Sequence, residues 1–240
     1  MYLSVFLIAL VAGAFSGIVG TGSSLLLLPV LVQSYGPKEA IPIMAVAAII
    51  GNLSRVGLWW RRIDWRAALG YASLGAPAAA LGAHTMLTLP AWLIDVGLGL
   101  FFWCMVPIGR FLRKAQWRLS IVQLSLCGGG IGFLTGLVLS TGPLSIPVFM
   151  AYGLSGGAFL GTEAASALLL YASKVSTFAA QNAMPLQTAL QGILVGVGIM
   201  IGTVASKPLV LKMPPRTFAI LTDLLLLFSG AALFRSAWLS

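Results

Sequence analysis

Charge is what this chain has least of. Only 8% of its 240 residues are charged and just five are acidic, against roughly 25% charged residues in soluble domains. A single histidine allows no metal cluster, and no Ser/His/Asp arrangement or nucleotide-binding motif occurs, so neither an enzyme nor a metal or cofactor is expected. The two cysteines, Cys104 and Cys127, fall inside apolar segments and read as small core residues rather than a disulfide framework. Long polar stretches are also missing, which leaves no room for a sizeable soluble domain. The opening Met-Tyr-Leu-Ser-Val-Phe-Leu lacks the positive start of a signal peptide, so this segment is expected to be retained.

What is present is apolar. Hydrophobic residues make up 59% of the chain and the mean hydropathy is +1.01, the composition of an integral membrane protein. The net charge of +9 does not point to nucleic acid, because the basic residues sit in connecting loops with no basic face or aromatic platform beside them. Six long spans of about 20 apolar residues stand out. They run at roughly 40–60, 66–86, 90–110, 157–180, 186–206 and 215–236.

The remaining apolar segments form a repeated, interrupted pair. Gly13-Ala-Phe-Ser-Gly17-Ile-Val-Gly20-Thr21-Gly22-Ser23-Ser24, ending at Pro29, is echoed about 119 residues later by Gly132-Phe-Leu-Thr-Gly136-Leu-Val-Leu-Ser140-Thr141-Gly142-Pro143, ending at Pro147. Each is an apolar helix that breaks at a Thr-Gly bend and restarts, over 2–20 with 23–34 and over 120–139 with 143–153. Such a break frees backbone groups that lipid cannot satisfy, so it survives only where protein packs it or where it lines a cavity. Paired breaks at matching positions point to a transporter's binding site. Gly13, Gly17, Gly132 and Gly136, spaced by four, read instead as close helix packing. Further echoes are Asn52-Leu-Ser54-Arg55 with Tyr171-Ala-Ser173-Lys174, and Leu81-Gly82-Ala83 with Ile201-Gly202-Thr203. Asp95 and Asp223 open the last span of each half, where a helix N-terminus stabilises an anion.

Loop charges orient the path. Arg61, Arg62 and Arg66, then Arg110, Arg113, Lys114 and Arg118, then Lys207, Lys212 and Arg216 mark three cytoplasmic connections. The stretches around His84–Pro90 and Gln181–Pro185 are poor in Lys and Arg and are assigned outside, with Lys38 the one contrary residue. The expected fold is an all-α polytopic membrane protein of about 8–10 membrane segments. It comprises two inverted-topology repeats, 1–115 and 116–240, each a broken or re-entrant unit followed by three transmembrane helices. Both termini are expected on the extracytoplasmic face.

The duplicated Gly-rich bend, the Arg61-Arg62-Ile63-Asp64-Trp65-Arg66 stretch, Leu81-Gly82-Ala83 and Gly161-Thr162-Glu163-Ala164 with Lys174 farther along together resemble the TauE/SafE sulfite exporter family, also called the four-toluene sulfonate uptake permeases. The resemblance covers nearly the whole chain. It departs where the family usually has Gly-Gly and this chain has Gly22-Ser23 and Gly142-Pro143. It implies transport of small sulfur-containing or organic anions across the bacterial cytoplasmic (inner) membrane.

The residues favour an anion independently. Helices restarting at Ser23 and Pro143 present unpaired N–H groups and positive dipole ends. Thr21, Ser23, Ser24, Ser140, Thr141 and Ser145 add hydroxyls, Gly20, Gly22 and Gly142 allow close backbone approach, and Pro143 suits a first helical turn. Thr162, Ser166, Ser173, Ser176 and Thr177 form a polar stripe at helical spacing, as on a cavity wall. Lys174 is a candidate positive charge for the anion, since an ionisable group in the membrane costs ~2.5 kcal/mol or more and needs a partner or a wet cavity. Glu163 is a candidate for ion coupling, to a proton or sodium, although stabilisation by its helix N-terminus is the simpler reading. Asn52 offers an amide either to substrate or to a neighbouring helix, and Arg55 reads as snorkelling to the inner surface. The expected function is a secondary carrier of sulfite, thiosulfate, organosulfonates or small organic acids, working by alternating access around a midplane site between the two broken helices. Its partners are the anion and the lipid bilayer, and an oligomer is compatible with it. A passive anion channel or a non-transporting scaffold is the alternative.

Overall fold

The computed structural model describes residues 2–19, 22–114, 118–138 and 141–210, with isolated positions between 220 and 238. Most of the sixth long span, 215–236, therefore lies outside the described residues, and Asp223, Lys212 and Arg216 lie outside them entirely.

The described helices divide on either side of the two Thr-Gly stretches. Helix α1 (Tyr2–Val19) is followed by α2 (Gly22–Tyr35), and α6 (Ile121–Val138) by α7 (Gly142–Ala151). Each pair precedes long helices: α3 (Pro37–Trp59), α4 (Trp65–Thr88) and α5 (Ala91–Lys114) in the first half, α8 (Gly156–Ala180) and α9 (Leu186–Val210) in the second. No strand occurs among the described residues. At ten residues α7 spans about 15 Å, half the hydrocarbon thickness.

Local signals explain the boundaries. Gly36 turns α2 into α3 within one residue by adopting φ 76°, which a side chain would oppose. A 3₁₀ turn, Trp60–Arg62, leads to Asp64, whose carboxylate accepts the Ala67 N–H at 3.0 Å and caps α4. Ser120 and Gln123 form a capping box at the start of α6: Ser120 N–H donates to the Gln123 side-chain carbonyl at 2.9 Å, and Gln123 N–H to the Ser120 hydroxyl at 3.4 Å. His84, expected in a loop, lies on α4, which continues to Thr88 and contacts Gln181 through the imidazole.

Among the described residues, three stretches are long and apolar enough to cross a membrane: Lys38–Arg62, Ile121–Val138 and Leu186–Ser206. Helices α4 and α8 are of similar length but richer in Ala, Gly and Ser, the residues that let their buried faces approach neighbouring helices closely. Leu, Ile, Phe and Trp side chains are exposed along the outer helices, as a lipid-facing surface requires. Cys104 is exposed and Cys127 half-buried, so neither is the small core residue expected; both are free thiols.

Packing interleaves the two halves. Helix α4 lies along α6, and α1 along α9, with further contacts of α3 to α9 and α4 to α8. Glycine makes the crossings close. A Cβ on Gly132 would strike the Gly75 backbone, one on Gly136 would strike Ala79 and Gly82, and one on Gly13 would strike Ile199. Gly202 meets Leu10 and Ala14 in the same way that Gly82 meets Phe133 and Leu137. These contacts bear out packing as the role of Gly13, Gly132 and Gly136. Two groups result: α1, α2, α3 and α9, and α4, α6, α7 and α8, with α3 against α8 as the most extensive contact between them.

Candidate functional site

The start of α7 is held by its own bend. The Thr141 carbonyl accepts the N–H groups of Leu144 at 2.9 Å and Ser145 at 3.0 Å, while Pro143 has no N–H to satisfy. The Thr141 hydroxyl bonds that of Thr135, which itself donates to the Ile131 carbonyl at 2.7 Å. The Thr135 and Thr141 hydroxyls thus tie the end of α6 to the start of α7, and both residues face a common space.

That space is a cavity of about 40 Å³. Ser16, Ser23 and Ser24 of α1 and α2 line it, together with Thr135, Thr141, Gly142 and Ser145 around the second break. The residues flanking the two bends therefore share one space. Asn52 and Arg55 of α3, Glu163 and Ser166 of α8, and the two tyrosines Tyr71 and Tyr171 complete its polar wall. A space of this size holds about three waters.

An ion pair stands on the cavity wall. Arg55 and Glu163 are each 5% exposed, and Arg55 Nη1 donates to Glu163 Oε2 at 2.7 Å. Arg55 Nη2 donates to the Asn52 side-chain oxygen, and the Asn52 amide in turn donates to Ala48 O at 2.8 Å. Ser145 Oγ donates to Glu163 Oε1 at 3.4 Å. Arg55 Nε is buried without any hydrogen-bond partner. Arg55 therefore does not snorkel: it turns inward because a carboxylate on α8 faces it, which lipid could not provide. Glu163, the eighth residue of α8, lies beyond the first turn where a helix dipole acts, so its partner is Arg55 rather than the helix end. The ends of α3 and α8 meet at Trp59 with Gly157 and Gly161, so the helices run antiparallel. Arg55 lies about 10 Å past the middle of α3. The pair thus sits towards the Arg61 and Arg62 turn, off the midpoint of the helices.

Other expected residues are placed differently. The Thr162 hydroxyl accepts the Asp64 N–H at 2.9 Å and pins the α4 corner to α8, away from the cavity wall. Lys174 is fully buried behind the wall, its Nζ donating to Thr135 O at 2.8 Å and lying 5.5 Å from the Phe178 ring. The polar stripe of α8 divides. Ser166 lines the cavity and donates to Glu163 O, Ser173 donates to Ala76 O at 2.7 Å, Thr177 donates to Ser173 O, and Ser176 is exposed. Gly20, Thr21 and Ser140 lie outside the described residues; Gly22 and Pro143 stand in the first turns of α2 and α7. Sequence reasoning missed Ser16, Thr135, Tyr71 and the pairing of Arg55. Ser16 and Thr135 share the spacing of the repeated bends, a signal that could have found them.

A chain with paired helix breaks around a buried polar cavity invites comparison with membrane carriers. The family described as Sulfite exporter TauE/SafE matches residues 5–233. The chain belongs to the TauE/SafE family. This is a family of membrane transporters, and the apolar helices accord with a membrane protein. A Bacillus subtilis (strain 168) relative called "Probable membrane transporter protein YjnA" is 26% identical over 259 residues, covering 97% of this chain and 100% of the relative. No solved structure matches significantly.

Proposed function

We propose that this TauE/SafE member is a secondary carrier of small anions, sulfur oxyanions, organosulfonates or small organic acids, bound in the cavity between the two helix breaks. The carrying observation is Arg55: a buried guanidinium with its Nε unpaired, on the wall of a cavity whose other polar lining is Glu163, Asn52, two tyrosines and the serines and threonines beside the two bends and on α8. The buried basic and acidic side chains of the described helices are Arg55, Lys174 and Glu163, and of these Arg55 is the cation on the cavity wall. The substrate contacts are Ser23, Ser24, Asn52, Thr141, Gly142, Ser145 and Ser166, with Arg55 added; Gly20, Thr21, Gly22, Ser140 and Pro143 belong to the same bends. Lys174 acts from behind the wall through Thr135, and Thr162 is a structural anchor.

The chain consists of two repeats, 1–115 and 116–240, of opposite topology in a bacterial cytoplasmic membrane, with both termini outside. The packing supports this, because exchanging the halves maps α4 against α6 onto α9 against α1, and α4 against α8 onto α9 against α3. In alternating access the rocking bodies are not the repeats themselves, since each half lends a long helix to the other. They are α1, α2, α3 and α9 against α4, α6, α7 and α8, and the cavity lies at their seam.

Uptake of labelled sulfite, thiosulfate, methanesulfonate and acetate into proteoliposomes tests this reading. Saturable uptake with counterflow for at least one of them is expected. Voltage-driven flux without saturation or counterflow would identify a channel, and no flux at all would overturn anion transport.

A further inference from the structure

We propose that the transported anion takes the place of Glu163 on Arg55 and that the displaced carboxylate takes up a proton, so that one anion and one proton cross together. This rests on the anion-carrier reading above.

Three observations carry it. First, Arg55 and Glu163 are the cation and the carboxylate lining the cavity among the described residues, and their bond joins α3 to α8, hence one rocking body to the other. Second, the pair itself lines the cavity, and Glu163 Oε2 holds Arg55 Nη1 at 2.7 Å, the place that one oxygen of a bound oxyanion would take. Full engagement of the guanidinium by an anion therefore requires guanidinium and carboxylate to part. Third, Arg55 Nε is buried and unpaired. Glu163 satisfies Nη1 alone, whereas an oxyanion can engage the fork of the guanidinium with two oxygens. Asn52, tied to Ala48 O at 2.8 Å, keeps the guanidinium aimed while the partner changes.

The groups facing Glu163 set its charge once the guanidinium is taken by the anion. Arg55 approaches from α3, Ser145 from α7, Tyr71 from α4 and Tyr171 from α8 itself. Arg55 is the only cation among them. Lys174 lies eleven residues along α8, about 16 Å away, with its Nζ on Thr135 O. Deprived of Arg55, a buried carboxylate is neutralised rather than left charged. Charge balances in both states. Guanidinium and carboxylate sum to zero before, and guanidinium, monoanion and carboxylic acid sum to zero after. The proton comes from the aqueous side that supplies the anion, and the acid can then donate to the Ser145 hydroxyl.

Methanesulfonate, whose own charge is constant from about pH 5 to 8, is the probe. Calorimetric titration of wild-type protein in buffers of differing ionisation enthalpy should show uptake of about one proton per anion bound, and Kd should rise about tenfold per pH unit at the upper end of the range. E163Q should bind with no such slope and take up no proton. R55Q should bind at least tenfold more weakly, and R55K should recover part of the loss. Binding by wild type without proton uptake, or an unchanged slope in E163Q, would overturn the coupling while leaving the carrier reading intact. Wild-type affinity in R55Q would overturn the exchange. Failure of wild type to bind methanesulfonate would overturn the inference for this anion, and the proteoliposome panel then reports separately on the carrier reading.

Discussion

Gly136→Ala tests whether the repeated glycines hold α4 and α6 together. A methyl group there would stand 2.7 Å from Ala83 N and 2.8 Å from Gly82 Cα, and closer still to Ala79 O. Carbon contacts are ordinarily about 3.5–4.0 Å, so the two backbones must part by about 1 Å, which forfeits a quarter to a half of the dispersion attraction along the crossing. Overpacking of this kind costs about 1–3 kcal/mol. Gly130→Ala is the control on the same helix: its Cβ meets nothing within 4 Å, so only the gain in helix propensity, at most ~1 kcal/mol, remains. Because both variants share that gain, their difference isolates the crossing, and Gly136→Ala should be less stable than Gly130→Ala by about 1–3 kcal/mol. SDS titration in mixed micelles, followed by far-UV circular dichroism, measures it. Equal unfolding midpoints would refute the view that close backbone contact, rather than mere helix flexibility, explains these glycines.

Further outcomes are expected at the site and its supports. Asp64→Ala should lose the α4 cap and cost about 1 kcal/mol in the same titration, with anion uptake retained. Thr162→Val leaves the Asp64 N–H without its acceptor and should destabilise by about 1–3 kcal/mol without altering anion affinity; a selective loss of affinity would return Thr162 to the site. Lys174→Gln should weaken anion binding less than Arg55→Gln does, and Arg62→Gln should leave it unchanged, as read by thermal shift with thiosulfate. Single cysteines at His84 and Arg62, in a Cys104→Ser/Cys127→Ser background, should react with impermeant maleimide from opposite faces; labelling from one face would refute the proposed topology.

Much of the helical frame was legible because membrane composition writes it in one dimension. Apolar runs, the Thr-Gly interruptions, the Asp64 cap and the glycine spacing all depend on neighbours along the chain, and the described helices begin and end within a few residues of the expected spans. Tertiary structure decided what the polar residues do inside. Arg55 and Glu163 are 108 positions apart, so nothing local distinguishes a snorkelling arginine from a buried one. Thr162 and Ser166 share a helical arc, yet one turns to the Asp64 corner and the other to the cavity, because different helices abut that arc. The repeat predicted equivalent halves, but only packing revealed that α4 and α9 are exchanged between them. A buried charge settles where a partner stands, and where partners stand is set by the helices that the sequence brings together from afar.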